Sequence, residues 1–269
     1  MRTSSAFKQS LLMIGLLCAA PFASAKWTVE NGVLLDPNGQ PFIFRGVTID
    51  FEVAPDKTAQ AIKDAADAGA NAVQIQFNAT NYYIPYTIGI KLPGIINACK
   101  ENKVVCVLEP NDVAGWPQAG DFPSPGRTLI FWDTLGIREV IAGQQDYVIL
   151  GFGNQAFGAM PKEQYLSYIS GYTSQFKDRG LQDFLFIIDG SNWGQDADKA
   201  MQTFAANNKQ YNTGKNLIYS VEMFDAYKTP AQVRDYLASF SAIGAPLIVG
   251  GFAPEHYYHP RHPGTFPTR

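Results

Sequence analysis

Polar side chains that could do chemistry stand where apolar runs of the sequence end. The run from Tyr147 to Phe152 is followed by Asn154 and Gln155, two amides after a strand-like segment. Carboxyl groups follow other runs in the same way, and paired carboxyls perform general acid–base and nucleophilic catalysis. An amide has nearly the shape of a carboxyl group but carries no transferable proton. The candidate carboxyl residues at run ends are Asp50, Glu52, Glu109, Asp112, Asp189 and Glu222.

The segments that would position these groups alternate between strand-like and helical patterns. This alternation predicts repeated βα units and a parallel sheet. A small hairpin cap over 27–41 precedes them, because turn residues stand at 31–32 and 36–39. Asp56 is predicted to cap the first helix, and Thr229, followed by Pro230, the last. The predicted strands are 42–48, 72–77, 104–109, 147–152, 184–189, 217–222 and 246–250, and the predicted helices are 57–68, 88–101, 129–142, 161–178, 197–208 and 230–243.

These units predict an α/β fold of the (β/α)8 or TIM-barrel type that lacks its eighth βα unit. In such a barrel, catalytic groups lie at the carboxyl ends of the strands. After the seventh predicted strand, residues 251–269 carry prolines at 254, 260, 263 and 267 instead of a further strand pattern. The first and seventh strands would then keep unpaired edges. The C-terminal tail, a second chain or a locally loose barrel could each account for the gap.

The first 25 residues have the parts of a secretory signal peptide. Arg2 and Lys8 supply positive charge, a short apolar segment follows, and Ala23-Ser24-Ala25 forms a cleavage site. The apolar segment is too short to span a bilayer, so no membrane anchoring is expected. We predict a secreted or periplasmic protein cleaved after Ala25. Residues 26–269 then form a single barrel domain of about the usual 250 residues.

Composition excludes some classes of partner. The formal net charge is −3 and lysine and arginine form no cluster, so nucleic-acid binding is not expected. No nucleotide-binding glycine-rich loop stands at a strand–helix junction, and no cofactor is expected.

Cys99 and Cys106 remain after signal cleavage, and export permits a disulfide between them. Their predicted places on a helix end and the next strand favour free, buried thiols instead.

Ordered stretches from about Trp27 to Phe252 carry a resemblance to a known family. They are Phe44-Arg45-Gly46-Val47, Val105 to Glu109, Gln144 to Ile149, Asp189 to Asp196, Tyr219 to Phe224 and Pro246 to Phe252. In this order they resemble glycoside hydrolase family 5, most closely its bacterial β-1,4-mannanases. The resemblance implies a barrel and a carbohydrate substrate. It also implies two glutamates at strand ends, one as general acid/base and one as nucleophile.

At the positions where the family has its catalytic glutamates, this sequence has other residues. The fourth strand ends in Asn-Glu-Pro in the family and in Asn154-Gln155-Ala156 here; the seventh ends in Gly-Glu-Phe in the family and in Gly250-Gly251-Phe252 here. Neither Gln155 nor Gly251 can ionise, although retaining hydrolysis needs two carboxyl groups about 5–5.5 Å apart. Supporting positions differ too: they hold Gln74 for an arginine, Asn111 for a histidine and Glu222-Met223-Phe224 for His-Met-Tyr.

The first interpretation is a secreted protein that binds β-linked polysaccharide, such as mannan, glucomannan or cellulose, without hydrolysing it. Gln155 and the retained Asn154 can hydrogen-bond sugar hydroxyls, and Trp193 can present an apolar face to a pyranose ring. Each aromatic residue could equally serve only for packing. The predicted site also includes Gln74, Asn111, Glu222, Phe224 and Trp116, with Tyr82, Tyr83 and Tyr86 on loops at the same barrel end. A companion hydrolase is a further candidate partner.

The second interpretation is an active glycoside hydrolase with a relocated carboxyl pair. Glu222 stands beside the emptied position of Gly251, which leaves room for a water molecule. Glu222 could then act as a base in an inverting reaction with another strand-end acid, at a carboxyl separation of about 6.5–9.5 Å. It could equally compensate for charges lost nearby, or point to solvent.

A metal site is the third hypothesis. The three histidines of the chain, His256, His259 and His262, stand three residues apart beside Glu255. Imidazole and carboxylate ligands suit zinc, copper or nickel. Prolines prevent a regular helix there and no second shell is evident. The sequence therefore favours exposed tail histidines over a metal site.

Overall fold

The structure is a computed structural model that describes residues 27–79, 85–118, 124–176, 178–210 and 216–252. Two antiparallel strands, β1 (Thr28–Glu30) and β2 (Val33–Leu35), form the predicted hairpin. Seven parallel strands of the described chain then form one sheet in sequence order. They are β3 (Gly46–Asp50), β4 (Ala72–Phe77), β5 (Val105–Pro110), β6 (Val148–Gly151), β7 (Phe186–Asp189), β8 (Leu217–Met223) and β9 (Leu247–Phe252). This confirms the predicted barrel architecture, with no eighth βα unit among the described residues.

Helices cover the outer face of the sheet. Outward-facing strand residues such as Ile75 and Leu108 pack in one core with helix residues such as Ile62 and Leu92. The helices of the described chain are α1 (Thr58–Asp67), α2 (Pro85–Glu101), α3 (Gly126–Asp133), α4 (Leu135–Ile141), α5 (Lys162–Thr173), α6 (Ala200–Gln210) and α7 (Pro230–Ile243).

Three local predictions are wrong. The first barrel strand begins at Gly46 and not at residue 42, because Phe42 packs edge-on against Trp27, with ring centroids 5.0 Å apart, below the barrel. The helix predicted over 129–142 is two helices, since Thr134 adopts an extended conformation (φ −64°, ψ 130°) between them. Asp56 does not cap α1. It lies in a 3-10 turn and pairs with Lys91 at 2.6 Å.

The hairpin closes the barrel at the amino ends of its strands. Trp27 and Leu34 pack with inward-facing residues such as Val107 and Ile187 in a second apolar cluster. Because side chains alternate along a strand, the residues two positions after these inward-facing ones also point into the barrel, nearer its other end. There the sequence has polar groups: Gln74, Glu109, Asp189, Ser220 and Glu222.

The hairpin turn also contacts the last βα unit. Gly32 has a left-handed conformation (φ 81°), and a Cβ added to it would lie 3.0 Å from the carbonyl carbon of Gly244. Gly244 is itself the left-handed C-cap of α7, just before β9. The first described element therefore touches the connection to the last described strand.

Within the described part of the chain, the sheet is open between β3 and β9. Strands β5 and β8 are buried at every residue, whereas the residues of β3 and β9 are half-buried or exposed. Among the described residues, neither edge strand has a second neighbour. A cavity of about 370 Å³ lies between them and reaches the interior at Gln74, Val107 and Ile187.

Some predictions fall outside the described residues. These are the signal peptide over 1–25, the residues Tyr82 and Tyr83, the side chain of Tyr86, and the histidines His256, His259 and His262. Within the described ranges, no group of three or more His, Cys, Asp or Glu side chains is arranged to hold a metal ion. No described helix has both the length and the apolar character needed to cross a bilayer. Cys99 and Cys106 are free, buried thiols.

The N-terminus of α7 has the predicted cap at Thr229, as a complete capping box. The Gln232 N–H donates to Thr229 Oγ1 (3.3 Å), and the Thr229 N–H donates to Gln232 Oε1 (2.9 Å). Thr229→Ala is expected to lower the free energy of unfolding by about 1 kcal/mol, because one N–H of the first turn loses its acceptor. Urea denaturation measures this loss. Thr203→Ala inside α6 is the control, and an equal loss there would contradict the capping role.

Candidate functional site

Asn154 and Gln155 follow β6 in a loop that backbone hydrogen bonds hold in place. The Asn154 N–H donates to the carbonyl of Pro110 at the end of β5 (2.8 Å), and its side-chain amide donates to Asn111 Oδ1 (3.2 Å). The Gln155 N–H donates to Asp189 Oδ2 at the end of β7 (2.6 Å). Gln155 itself has a left-handed backbone (φ 48°), which is uncommon outside glycine. The loop therefore bridges the carboxyl ends of β5 and β7.

Glu109 on β5 is completely buried, at 0% exposure. Gln74 on β4 donates a side-chain N–H to Oε2 of Glu109 and accepts a hydrogen bond from Thr48 Oγ1 on β3 (2.7 Å). The second carboxyl oxygen, Oε1, has no partner with hydrogen-bonding geometry among the described residues. The side chain lies across the backbone of Gly151, where an added Cβ would come 2.8 Å from Glu109 Cδ. Glycine at 151 therefore makes room for Glu109.

The carboxyl group of Glu222 occupies the space beside the glycines of β9. Glu222 pairs with Gly251 across β8 and β9, next to a register irregularity at Val221. A Cβ added to Gly251 would overlap Glu222 Oε2, and one added to Gly250 would come 2.8 Å from Glu222 Oε1. Glu222 therefore points into the barrel, at 5% exposure, and not to solvent. Its carboxyl fills the volume that a side chain at residue 251 would need.

The three inward carboxyl groups have raised pKa values. Burial is the main cause at each, because an ionised group loses its hydration there. Burial raises the pKa of Glu109 well above its usual range, and the charges of Asp189 and Glu222 raise it further. Hydrogen bonds from the Gln74 amide and the Gly153 N–H lower it in part. Burial raises the pKa of Asp189 to about 6. Burial, and then the charge of Asp189, raises the pKa of Glu222 to about 8.

The other candidate acids accept hydrogen bonds from loop backbone. Glu52 Oε1 accepts from the Asn78 N–H (3.0 Å), and Asp112 Oδ1 accepts from the Ala79 N–H (3.0 Å). Asp50 Oδ1 accepts from the N–H of Glu52 (3.0 Å). These three carboxyl groups therefore hold the loops that follow β3, β4 and β5.

Asp196 is a buried acid that organises structure at the same end of the barrel. It accepts hydrogen bonds from the Met201 N–H (2.7 Å), the Gln202 N–H (3.1 Å) and the Tyr236 hydroxyl (2.7 Å). Burial raises its pKa to about 6, although these three hydrogen bonds stabilise the ionised form and lower the pKa. Asp196 thereby joins the start of α6 to α7.

The predicted aromatic residues lie on loops at the carboxyl ends of the strands. Trp193 is half-buried, has a left-handed backbone (φ 53°), and donates its backbone N–H to the Phe157 carbonyl (2.6 Å). Trp116 is half-buried as well, with its ring centroid 5.0 Å from that of Tyr168. Phe224 lies beside Gly251, where an added Cβ would come 3.2 Å from its Cζ. Phe224 therefore lies next to the Glu222–Gly251 pair, and Trp193 and Trp116 lie on loops at the same end of the barrel.

A family model matches most of the chain. The model of the cellulases, glycosyl hydrolase family 5, covers residues 35–261. The chain belongs to glycoside hydrolase family 5. It is 31% identical over 248 residues to a mannan endo-1,4-beta-mannosidase of Cellvibrio japonicus, covering 92% of this chain and 56% of that protein. It is 32% identical over 229 residues to a mannan endo-1,4-beta-mannosidase of Streptomyces lividans, covering 85% of this chain and 58% of that protein. The family 5 chain thus spans less than two thirds of these relatives.

Solved mannanase structures share its fold. The catalytic domain of the mannanase from Streptomyces sp. SirexAA-E has a TM-score of 0.78 and 26% identity, covering 94% of this chain and 76% of that one. The β-mannanase of Thermomonospora fusca, solved as a mannohexaose complex, has a TM-score of 0.76 and 26% identity, covering 85% of this chain and 76% of that one. The barrel predicted from the resemblance is therefore confirmed.

Within the family 5 fold, the predicted site residues form linked pairs. Asn111 joins Asn154, Gln74 joins Glu109, and Glu222 joins Gly251. Sequence reasoning missed the glycines that accept these side chains, namely Gly151 opposite Glu109 and Gly194 opposite Glu222. Gly151 ends β6 and Gly194 lies in the loop after β7, and in neither place does the sequence signal which side chain lies against the glycine.

Proposed function

We propose that this family 5 protein binds β-linked polysaccharide, such as mannan, glucomannan or cellulose, without hydrolysing it efficiently. One observation carries the proposal: the Glu222 carboxyl fills the space that a side chain at Gly251 would need. The family resemblance assigns the nucleophile to that position and the general acid/base to Gln155. Both positions thus lack a group that could do either task.

The two missing groups determine how much of the rate of hydrolysis is lost. A glutamine cannot protonate a leaving oxygen, and general acid–base assistance alone contributes about 10²–10⁴-fold to a rate. A glycine has no side chain to form the covalent intermediate of a retaining reaction. The loss of both functions removes the family's ordinary route.

Amides and aromatic rings, which are groups of the kinds that bind sugars, lie at the carboxyl ends of the strands. Asn111, Asn154 and Gln155 supply amide donors and acceptors, and Trp193 and Trp116 are half-buried rings on loops at the same end. An aromatic face with a few polar groups suits a pyranose ring, which has apolar C–H faces and a polar rim. Solved mannanases with this fold have been determined with mannotriose and mannohexaose. The proposal transfers that class of ligand to this chain.

The proposal includes export, because polysaccharides of this kind lie outside the cytoplasm. Residues 1–25 have the charge, apolar segment and small-residue end of a signal peptide. Mass spectrometry of the processed protein should find an N-terminus at Lys26.

Affinity electrophoresis tests the binding. In gels that contain mannan, glucomannan or cellulose derivatives, the protein is expected to be retarded by at least one polymer. Trp193→Ala is expected to weaken binding about tenfold, or about 1.4 kcal/mol, because an apolar ring face is lost. Tyr147→Ala is the matched control: Tyr147 is 39% exposed at the amino end of β6, on the opposite side of the barrel. Absence of retardation on all three polymers would overturn the proposal.

A second candidate function is hydrolysis by a relocated carboxyl pair, which the position of Glu222 favours. With a pKa of about 8, Glu222 keeps its proton at pH 7, while Asp189, at about 6, is mostly ionised. Glu222 would therefore serve as the acid and Asp189 as the base, the reverse of the role predicted for Glu222 from sequence. Two neighbouring carboxyls with separated pKa values are typical of acid–base catalysis.

Product analysis separates the two functions. Concentrated protein and the Glu222→Gln variant are incubated with β-mannan, and released oligosaccharides are quantified. Under the binding proposal the two preparations release equal background amounts. A rate at least about 100-fold higher in the unmodified protein would establish the second function. A preparation from host cells without the gene controls for contaminating hydrolases.

A further inference from the structure

The two half-buried tryptophans at the carboxyl end of the barrel are both fastened to one central loop, residues 153–158 after β6. The Trp116 carbonyl accepts a hydrogen bond from the Gly158 N–H (2.8 Å). The Trp193 N–H donates to the Phe157 carbonyl (2.6 Å). Because the two bonds come from loops that follow different strands, the position of the central loop determines where both rings lie.

Asp189, at the end of β7, holds this central loop at Gln155. Asp189 Oδ2 accepts the Gln155 N–H (2.6 Å), and the Gln155 carbonyl accepts the N–H of Gly115 from the first tryptophan's loop (2.9 Å). Asp189 is itself fixed, since its carboxyl accepts a hydrogen bond from Ser220 and its backbone carbonyl accepts one from the Tyr165 hydroxyl (2.9 Å). The left-handed backbone of Gln155 (φ 48°) is a strained conformation, which such an anchor stabilises.

The surroundings of Asp189 favour its neutral form. The side chain is 2% exposed, and the titratable groups that interact with its charge are Glu109 on β5, Glu222 on β8 and the Tyr165 hydroxyl on α5. Gly194 separates two of these acids: an added Cβ there would lie 3.7 Å from Asp189 Oδ2 and 2.5 Å from Glu222 Cγ. Burial raises the pKa of Asp189 to about 6. A neutral carboxyl still accepts a hydrogen bond through its carbonyl oxygen.

We propose that Asp189 is the positioning residue that holds both tryptophans for glycan binding, and that it does so best as the neutral acid. This inference rests on the proposed function, because a glycan is the ligand that the rings would contact. An uncharged sugar bound over this end of the barrel excludes water, which disfavours the ionised carboxyl. Glycan affinity is therefore expected to fall as the pH rises and Asp189 loses its proton.

Amide hydrogen exchange at pH 5 tests the anchoring without any glycan. In Asp189→Ala the Gln155 and Gly115 amides are expected to exchange at least about tenfold faster than in the unmodified protein, because the acceptor is lost. Asp189→Asn keeps an acceptor oxygen and should keep both amides protected. Asp196→Ala is the matched control: Asp196 is 1% exposed but holds α6 and α7, so the Gln155 amide should not change. Unchanged Gln155 exchange in Asp189→Ala would overturn the proposal.

Affinity gels at pH 5 and pH 7 test the proton dependence, with mobility compared with a polymer-free gel at the same pH. The unmodified protein is expected to bind the retarding polymer about fivefold more weakly at pH 7, which corresponds to a rise of about one unit in the pKa of Asp189 on binding. This comparison does not depend on the folding of a variant. Asp189→Asn should differ less than about twofold between the two pH values.

The outcomes separate this inference from the proposed function. Equal affinity of the unmodified protein at both pH values, or the same pH profile in Asp189→Asn, would overturn the role of the neutral acid. Absence of retardation at both pH values would overturn glycan binding and its pH dependence together. The exchange of the Gln155 amide, measured without glycan, would in that case still decide whether Asp189 holds the loops.

Discussion

At pH 8, Glu222→Gln is expected to raise the free energy of unfolding by about 4 kcal/mol, whereas at pH 5 the two proteins should differ by less than about 1 kcal/mol. The carboxyl of Glu222 is buried, and its pKa rises from 4.5 to about 8. The folded protein therefore holds this proton more tightly than the unfolded chain does. The stability that follows is fully present below the unfolded pKa and is lost as the pH rises through the folded pKa.

The size of the effect follows from the shift. Each pKa unit corresponds to about 1.4 kcal/mol, so a shift of more than three units costs on the order of 4 kcal/mol by pH 8. Asp189 and Asp196, both with a pKa of about 6, add losses of the same sign at lower pH. The protein should thus become less stable between about pH 4.5 and 8. This is a large part of the roughly 5–15 kcal/mol by which domains are stable.

Urea unfolding at intervals from pH 4.5 to 8.5 measures this dependence. Glu222→Gln should flatten the profile between about pH 4.5 and 8, the interval between the unfolded and folded pKa values of Glu222. Glu139→Gln is the matched control, because Glu139 is exposed on α4. Parallel profiles for the unmodified protein and Glu222→Gln would show that the Glu222 carboxyl is hydrated and does not lie against β9.

Gly251→Ala is expected to lower the free energy of unfolding by about 2–3 kcal/mol, because the added methyl overlaps Glu222 Oε2 and approaches Phe224. In the Glu222→Ala background the same change should cost much less. The coupling energy in this double-mutant cycle is expected to be about 1–2 kcal/mol. Urea denaturation of the four proteins at pH 6 provides the measurement.

Gly136→Ala is the control for the glycine substitution. Residue 136 lies in α4, and an added Cβ there meets nothing within 4 Å. Alanine should be neutral or slightly stabilising at that position, since glycine is a poor helix former. Additive effects of Gly251→Ala and Glu222→Ala would mean that the Glu222 carboxyl does not occupy the space beside residue 251.

The barrel could be predicted because its strands are short apolar runs whose pattern survives without tertiary information. The local details of its helices, such as breaks and caps, could not all be predicted in this way. Thr134 separates α3 from α4 although its surroundings read as one helix, and Asp56 pairs with Lys91 from α2 in place of capping α1. The pairing of Asp56 is a contact between elements distant in sequence, whereas the hydrogen bonds of Thr134 are local and nothing in the structure explains the break there. The cap at Thr229 was predictable because its partner, Gln232, is only three residues away.

The candidate site, like the fold, could be predicted from the sequence only in part. The sequence alone identifies the amide at Gln155 and the glycine at Gly251, because the strand ends carry a recognisable pattern. It does not distinguish Glu109, which is wholly buried, from Asp112, which holds a loop. Every residue of β5 is buried, so no alternation of polar and apolar residues reveals which side chains face inward. The direction of Glu222 depended on its register with β9.

The contact between Gly32 and Gly244 gives the hairpin of β1 and β2 a structural role next to the opening. Gly32 in the hairpin turn touches Gly244 before β9, and Trp27 packs against Phe42 before β3, so the hairpin contacts the segments that lead into both edge strands. Trp27 supplies much of that packing and is the second residue after the proposed cleavage site at Ala25. Loss of Trp27 would therefore remove the ring contact with Phe42 and is expected to lower the free energy of unfolding.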